Sequence, residues 1–184
     1  MRISEVDILI VPGLGNSGPE HWQRRWGSRF STAAVVEQDD WDHPSLEPWV
    51  STLERAIMMA TRPVILIGHS LGVSAIAHTA QRLKDTKVRG AFLVSAPDLD
   101  NPAVPAETAP FKDVPRDPLP FPSMLVASSD DPFCSLDRAV EFATCWASVF
   151  HEAGPSGHIN VASGHGPWPE GLLMFTRLMQ RLKS

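Results

Sequence analysis

The sequence predicts a three-layer α/β/α fold: a mostly parallel sheet of about six strands with helices on both faces. Three observations carry this. Strand-like apolar runs alternate with segments of helical periodicity along the chain. The runs Ile8-Leu9-Ile10-Val11 and Val64-Ile65-Leu66-Ile67 are continuously apolar, as strands covered on both faces are. The length, 184 residues, suits one domain with a sizeable core and is too short for two ordinary ones, so 1–184 is expected to be a single unit.

The elements follow in order. Val6 to Val11 is the first strand. Pro19 to Phe30 carries Trp22, Trp26 and Phe30 at helical spacing, and Ser17 three residues before Glu20 resembles a capping box. Ala33 to Glu37 is a short strand. Leu46 to Met59 is a helix with Leu46, Trp49, Val50, Leu53 and Ile57 on one face. Val64 to Ile67 is a strand and Val73 to Leu83 the helix after it. Val88 to Val94 and Ser123 to Ala127 are strands. Between them, Pro97, Pro102, Pro105, Pro110, Pro115, Pro118, Pro120 and Pro122 rule out a regular helix and predict a loop over one end of the sheet. Leu136 to Trp146 is a helix, Val149 to Glu152 a sixth strand, and Leu172 to Leu182 the last helix.

Composition narrows the function. Hydrophobic residues at 43% and charged ones at 20% are those of an ordinary globular protein. A net charge of −5 argues against nucleic acid and anionic membrane as partners. No apolar run approaches a membrane span, and the charged start Met1-Arg2-Ile3-Ser4-Glu5 is unlike a signal peptide. Cys134 and Cys145 make neither a disulfide framework nor a zinc pattern and are expected to be reduced thiols. A cytoplasmic protein that uses no metal or cofactor is the simplest expectation.

Gly68-His69-Ser70-Leu71-Gly72 lies between a strand and a helix, where a G-x-S-x-G forms a nucleophile elbow. The tight turn lifts the Ser70 hydroxyl clear of the sheet and sets the Leu71 amide at a helix start, where it can donate to an oxyanion. A serine needs a base, and the base a carboxylate to orient it. In hydrolases built around such an elbow the acid and then the histidine follow the nucleophile in the chain. Asp131, before Pro132-Phe133 and after the strand Ser123 to Ala127, is preferred to Asp130, which is expected to stay exposed at the turn. His158, in Gly157-His158 after the last strand, is preferred to His165, expected near the pocket mouth. The second oxyanion donor is expected from the loop after the first strand, at the Leu14 amide. Gly13, Asn16, His69, Phe133, His165 and Trp168 are candidate pocket residues.

A rival signal shares that loop. Gly13, Gly15 and Gly18 match the dinucleotide fingerprint, and Glu37 and Asp39 lie where a ribose-binding acid would be. That reading leaves Ser70, Asp131 and His158 without a role.

With these residues in hand, the chain resembles the small serine hydrolases of the retinoblastoma-binding protein 9 and YdeN type. The resemblance rests on Val11-Pro12-Gly13-Leu14-Gly15-Asn16-Ser17 with His21-Trp22, on Gln38-Asp39-Asp40-Trp41 with Pro44 and Trp49, and on the elbow. It is completed by Ser128-Ser129-Asp130-Asp131-Pro132-Phe133, Gly157-His158-Ile159-Asn160 and Gly166-Pro167-Trp168-Pro169-Glu170-Gly171. It implies a compact α/β-hydrolase fold without a large lid, and it supports Ser70, Asp131 and His158 as a triad. The expected activity is hydrolysis of small esters, thioesters or activated amides through an acyl-enzyme, in a shallow pocket. A binding or scaffold protein on the same frame is the alternative of a different class.

Overall fold

The computed structural model describes residues 1–83 and 87–182. Among these residues six strands form one all-parallel sheet: β1 (Asp7–Val11), β2 (Ala33–Val35), β3 (Val64–His69), β4 (Val88–Val94), β5 (Ser123–Ala127) and β6 (Val149–Glu152). Their order across the sheet is β2-β1-β3-β4-β5-β6. Parallel neighbours need crossovers: among the described residues α1 (Trp22–Arg29), α2 (Leu46–Met59), α3 (Leu71–Ala80) and α4 (Leu136–Cys145) supply four of them, the proline-rich segment connects β4 to β5, and α5 (Pro169–Arg181) follows β6.

Side chains alternate across each strand, so every apolar run feeds two cores. Leu9, Val11, Leu66 and Leu93 join one core with Leu53 of α2, Ile76 of α3 and Phe142 of α4. Ile8, Ile10, Ile65, Ile67, Phe92 and Val94 join the other with Trp22 and Trp26 of α1 and Phe175 of α5. This explains why the central strands are apolar without a break. The three layers, the sheet and the alternation match the sequence expectation.

The differences lie at element ends. Ser17 and Glu20 do not cap α1, because the chain makes a further turn, His21 N–H to Gly18 O, before the helix starts. His21 is the cap instead: its side chain accepts the Gln23 amide at 3.2 Å. Helix α3 begins at Leu71 rather than Val73, directly at the elbow. It stops at Ala80 because Arg82 and Leu83 donate three residues back, to Thr79 and Ala80, and tighten the last turn. Pro169 opens α5 three residues before the expected start, at the first-turn position where a missing N–H costs nothing. The proline-rich segment holds a short 3-10 turn, Ala106–Phe111, whose buried Phe111 packs on Trp49 of α2.

Strand order reverses between β1 and β3, because β2 lies on one side of β1 and β3 on the other. At such a switch point the loops leaving the carboxyl ends diverge and open a crevice. Both the Gly13 loop and the elbow leave the sheet there.

Candidate active site

The elbow is held by close approach on both sides. Ser70 has φ 53° and ψ −129°, a left-handed conformation that a serine adopts only when its surroundings impose it. A Cβ on Gly72 would lie 2.2 Å from the Val11 carbonyl oxygen, so α3 starts against the backbone of β1. A Cβ on Gly13 would meet Ser70 Cβ at 2.8 Å and the Leu71 nitrogen at 3.1 Å. The loop after β1 therefore lies directly on the elbow. Ser70 takes the space beside Gly13, the first glycine of the dinucleotide fingerprint, where a pyrophosphate would have to approach, although Gly15 and Gly18 border open space. Glu37, one of the acids of that rival reading, pairs with Arg24 at 3.0 Å.

Polar contacts fix the same loop. Gln23 is wholly buried; its amide donates to Val11 O and Ile67 O at 3.2 Å each and accepts the Ser17 hydroxyl at 2.7 Å. One side chain thus joins the ends of β1 and β3 to the loop that follows β1. Arg24 reaches Ser17 O and Asn16 Oδ1, and Gly15 N–H donates to Trp41 O at 2.9 Å. The Asp39-Asp40-Trp41 segment is in turn held by Asp40, whose carboxylate accepts the Asp42 and His43 amides.

Three side chains from three loops meet at the elbow. Ser70 Oγ lies 2.9 Å from His158 Nε2, and His158 Nδ1 lies 2.9 Å from Asp131 Oδ2 and 3.0 Å from Oδ1. A carboxylate accepts only, so Nδ1 carries the ring proton and Nε2 accepts the serine hydroxyl. Asp131 also accepts the Phe133 amide at 3.0 Å, and the Phe133 ring meets His158 edge-on at 4.7 Å. Asp130 is exposed, as expected of a turn residue, but it ties two loops together. Its carboxylate accepts the Ser128 hydroxyl and the Gly157 amide, both at 2.7 Å. Those bonds, the Ser128 one first, hold its pKa below the usual carboxylate value.

A pocket of about 340 Å³ opens beside Ser70, at the low end of small-molecule sites. Gly13, Leu14, Asn16, His69, Leu71 and Phe133 line it together with Ser70 and His158. Leu71 is the first residue of α3, so its N–H has no carbonyl one turn back. Two candidate pocket residues stand elsewhere. Trp168 is buried between Trp22, Trp26 and Phe92 in the core, and Gly171 leaves room for its ring. His165 lies beyond the lining and contacts Ser163 Oγ at 3.1 Å. The proline-rich loop, expected over one end of the sheet and as a wall of the pocket, contributes Pro97, Val104, Pro105 and Thr108, whereas His21 and the segment Asn160 to Ala162 were missed as walls. The Gly-x-Gly loop running into His21-Trp22 was a signal for His21. The proline-rich segment gave no such residue-level signal.

The family profile described as serine hydrolase matches residues 8–177. This chain belongs to the serine hydrolase family. Among solved structures, this serine hydrolase is similar to a protein described as a YdeN-like hydrolase from Pectobacterium atrosepticum. The two are 34% identical, with a TM-score of 0.85, over 97% of this chain and 93% of that one. The ydeN gene product of B. subtilis shares the fold at 20% identity and TM-score 0.78, over 95% and 99% of the two chains. A monoacylglycerol lipase from Paleococcus ferrophilus shares it at 12% identity and TM-score 0.70, over 94% and 93%. No curated protein matches the chain. The serine hydrolase is therefore an enzyme of α/β-hydrolase fold. No helix among its described residues is long and apolar enough to cross a membrane.

Proposed function

We propose that this hydrolase cleaves small carboxylic esters, thioesters or activated amides through a Ser70–His158–Asp131 triad. The reading rests on the unbroken hydrogen-bond chain, 2.9 Å from serine to imidazole and 2.9 Å from imidazole to carboxylate. Ser70 Oγ attacks the carbonyl carbon while His158 Nε2 takes its proton. Asp131 keeps the ring in that tautomer and stabilises the imidazolium. The Leu14 and Leu71 amides receive the oxyanion, and each such donor is worth about a hundred- to a thousandfold in turnover. The tetrahedral adduct collapses, and the leaving alcohol, thiol or amine departs with the proton from His158. Water, deprotonated by the same nitrogen, then attacks the acyl-enzyme and releases the acid and free Ser70.

A scaffold role would not require a proton path that ends at an accessible pocket. A reducing compartment such as the cytoplasm fits the two free thiols, Cys134 and Cys145. Burial pushes the Cys134 thiol up to about 12, which disfavours the thiolate that a nucleophilic cysteine needs.

A fluorophosphonate probe should label the wild type and leave Ser70→Ala unlabelled. Ester turnover should fall by about 10⁴-fold or more in His158→Ala and survive in His165→Ala. Labelling that persists without Ser70, or turnover that requires His165 and not His158, refutes the assignment.

A further inference from the structure

Two imidazoles in the pocket have no part in the proposed acyl transfer. His69 meets His158 at 5.0 Å between ring centroids, and His21 meets His69 edge-on at 4.8 Å. Both line the pocket. His69 is committed, because its Nε2–H donates to the His158 carbonyl oxygen at 2.9 Å. His21 is different. Its Nδ1 accepts the Gln23 amide that starts α1, so in the neutral ring the proton is on Nε2. That N–H has no protein partner among the described residues, on a side chain that is almost wholly buried and borders the pocket. Burial, with His158 and His165 nearby, lowers the His21 pKa to about 4, so the ring is neutral at physiological pH. No Lys, Arg, Asp or Glu is among the described residues lining the pocket.

An apolar-walled site with one fixed, unspent donor is built to orient a ligand. Resting on the acyl-transfer reading, we infer that His21 is a specificity-determining residue that donates its Nε2–H to an uncharged acceptor oxygen of the substrate, away from the scissile carbonyl. A carboxylate is disfavoured there, because no cation faces it. An ether, ketone or hydroxyl oxygen suits the site. At roughly 30 Å³ for each water-sized group, the pocket holds about ten heavy atoms of the substrate, enough for one side of the scissile bond.

The test compares p-nitrophenyl hexanoate with isosteres in which one chain CH₂ at a time is replaced by oxygen, and hexyl acetate with its matching alkoxy isosteres. The wild type should prefer at least one oxygen-bearing isostere over its all-carbon parent by about tenfold or more in kcat/KM. Asn is a good helix N-cap whose Oδ1 takes over the Nδ1 contact, and its own Nδ2–H₂ ends short of the Nε2 position, so His21→Asn keeps the start of α1 while losing the far N–H. Its preference should fall to about one, whatever its absolute rate, since a general loss of activity cancels in the ratio. His21→Ser, also a good cap, is the second variant and should lose the preference likewise. A wild type that prefers no isostere, or variants that keep the preference, would falsify the inference while leaving the triad standing. An enzyme that turns over none of these esters overturns both.

Discussion

At the scale of single residues, function depends on where backbone can approach backbone. Gly72 sits where a methyl group would lie 2.2 Å from a β1 carbonyl oxygen, and a backbone atom cannot swing aside as a flexible side chain can. Gly72→Ala should therefore destabilise by about 3 kcal/mol or more, visible as a lower urea midpoint. Gly68 is a milder case, because its nearest neighbour is the flexible end of Ile76. The tandem carboxylates Asp130 and Asp131 divide their work by orientation. Asp131 turns inward to the His158 ring, whereas Asp130 accepts the amide of Gly157, the residue before that histidine. The local sequence made Asp131 the better candidate. That Asp130 braces the loop carrying the proposed base depends on two loops meeting, which no local pattern encodes.

At the scale of elements, α1 does more than cover one face of the sheet. Its first turn presents Gln23 to the ends of β1 and β3 and His21 to the pocket. Gln23→Ala would leave Val11 O, Ile67 O and the Ser17 hydroxyl without this partner inside the fold. Each orphaned buried group costs roughly 1–3 kcal/mol. Stability should drop in denaturant melts, and kcat should fall with it, because the loop bearing Leu14 loses its anchor. The element boundaries were legible where periodicity is strong: α2 spans Leu46–Met59 and β5 spans Ser123–Ala127, as the pattern predicts. They were not legible where a tertiary contact sets the end, as at α1, whose cap is His21 in place of the predicted Ser17 and Glu20.

At the scale of the whole molecule, buried histidines make stability depend on pH. His21 has its pKa lowered from 6.5 to about 4, and burial, with His158 and His21 nearby, lowers that of His69 well below 6.5. Above pH 6.5 both rings are neutral in the folded and the unfolded chain. Below it the unfolded chain takes up protons that the native state refuses, so stability falls as pH drops toward 4. The His21 shift alone corresponds to about 3 kcal/mol. Denaturant melts should therefore show a marked loss between pH 7 and pH 4, smaller in His21→Asn. The layered parallel fold was determined by sequence alone, and the order serine, aspartate, histidine proposed for the triad was read from it too, since both are carried by local periodicity and by short motifs at strand ends. Gly13, Asn16, His69 and Phe133 of the pocket wall were named from the sequence, and the rest of the wall was decided only by tertiary structure. Val104, Pro105 and Thr108 come from a segment without periodicity, and Trp168, which resembles a wall residue in its motif, is drawn into the core by the tryptophans and phenylalanine around it. Burial of a large ring among others outweighs any role at a solvent edge, and which rings come together depends on how distant elements pack.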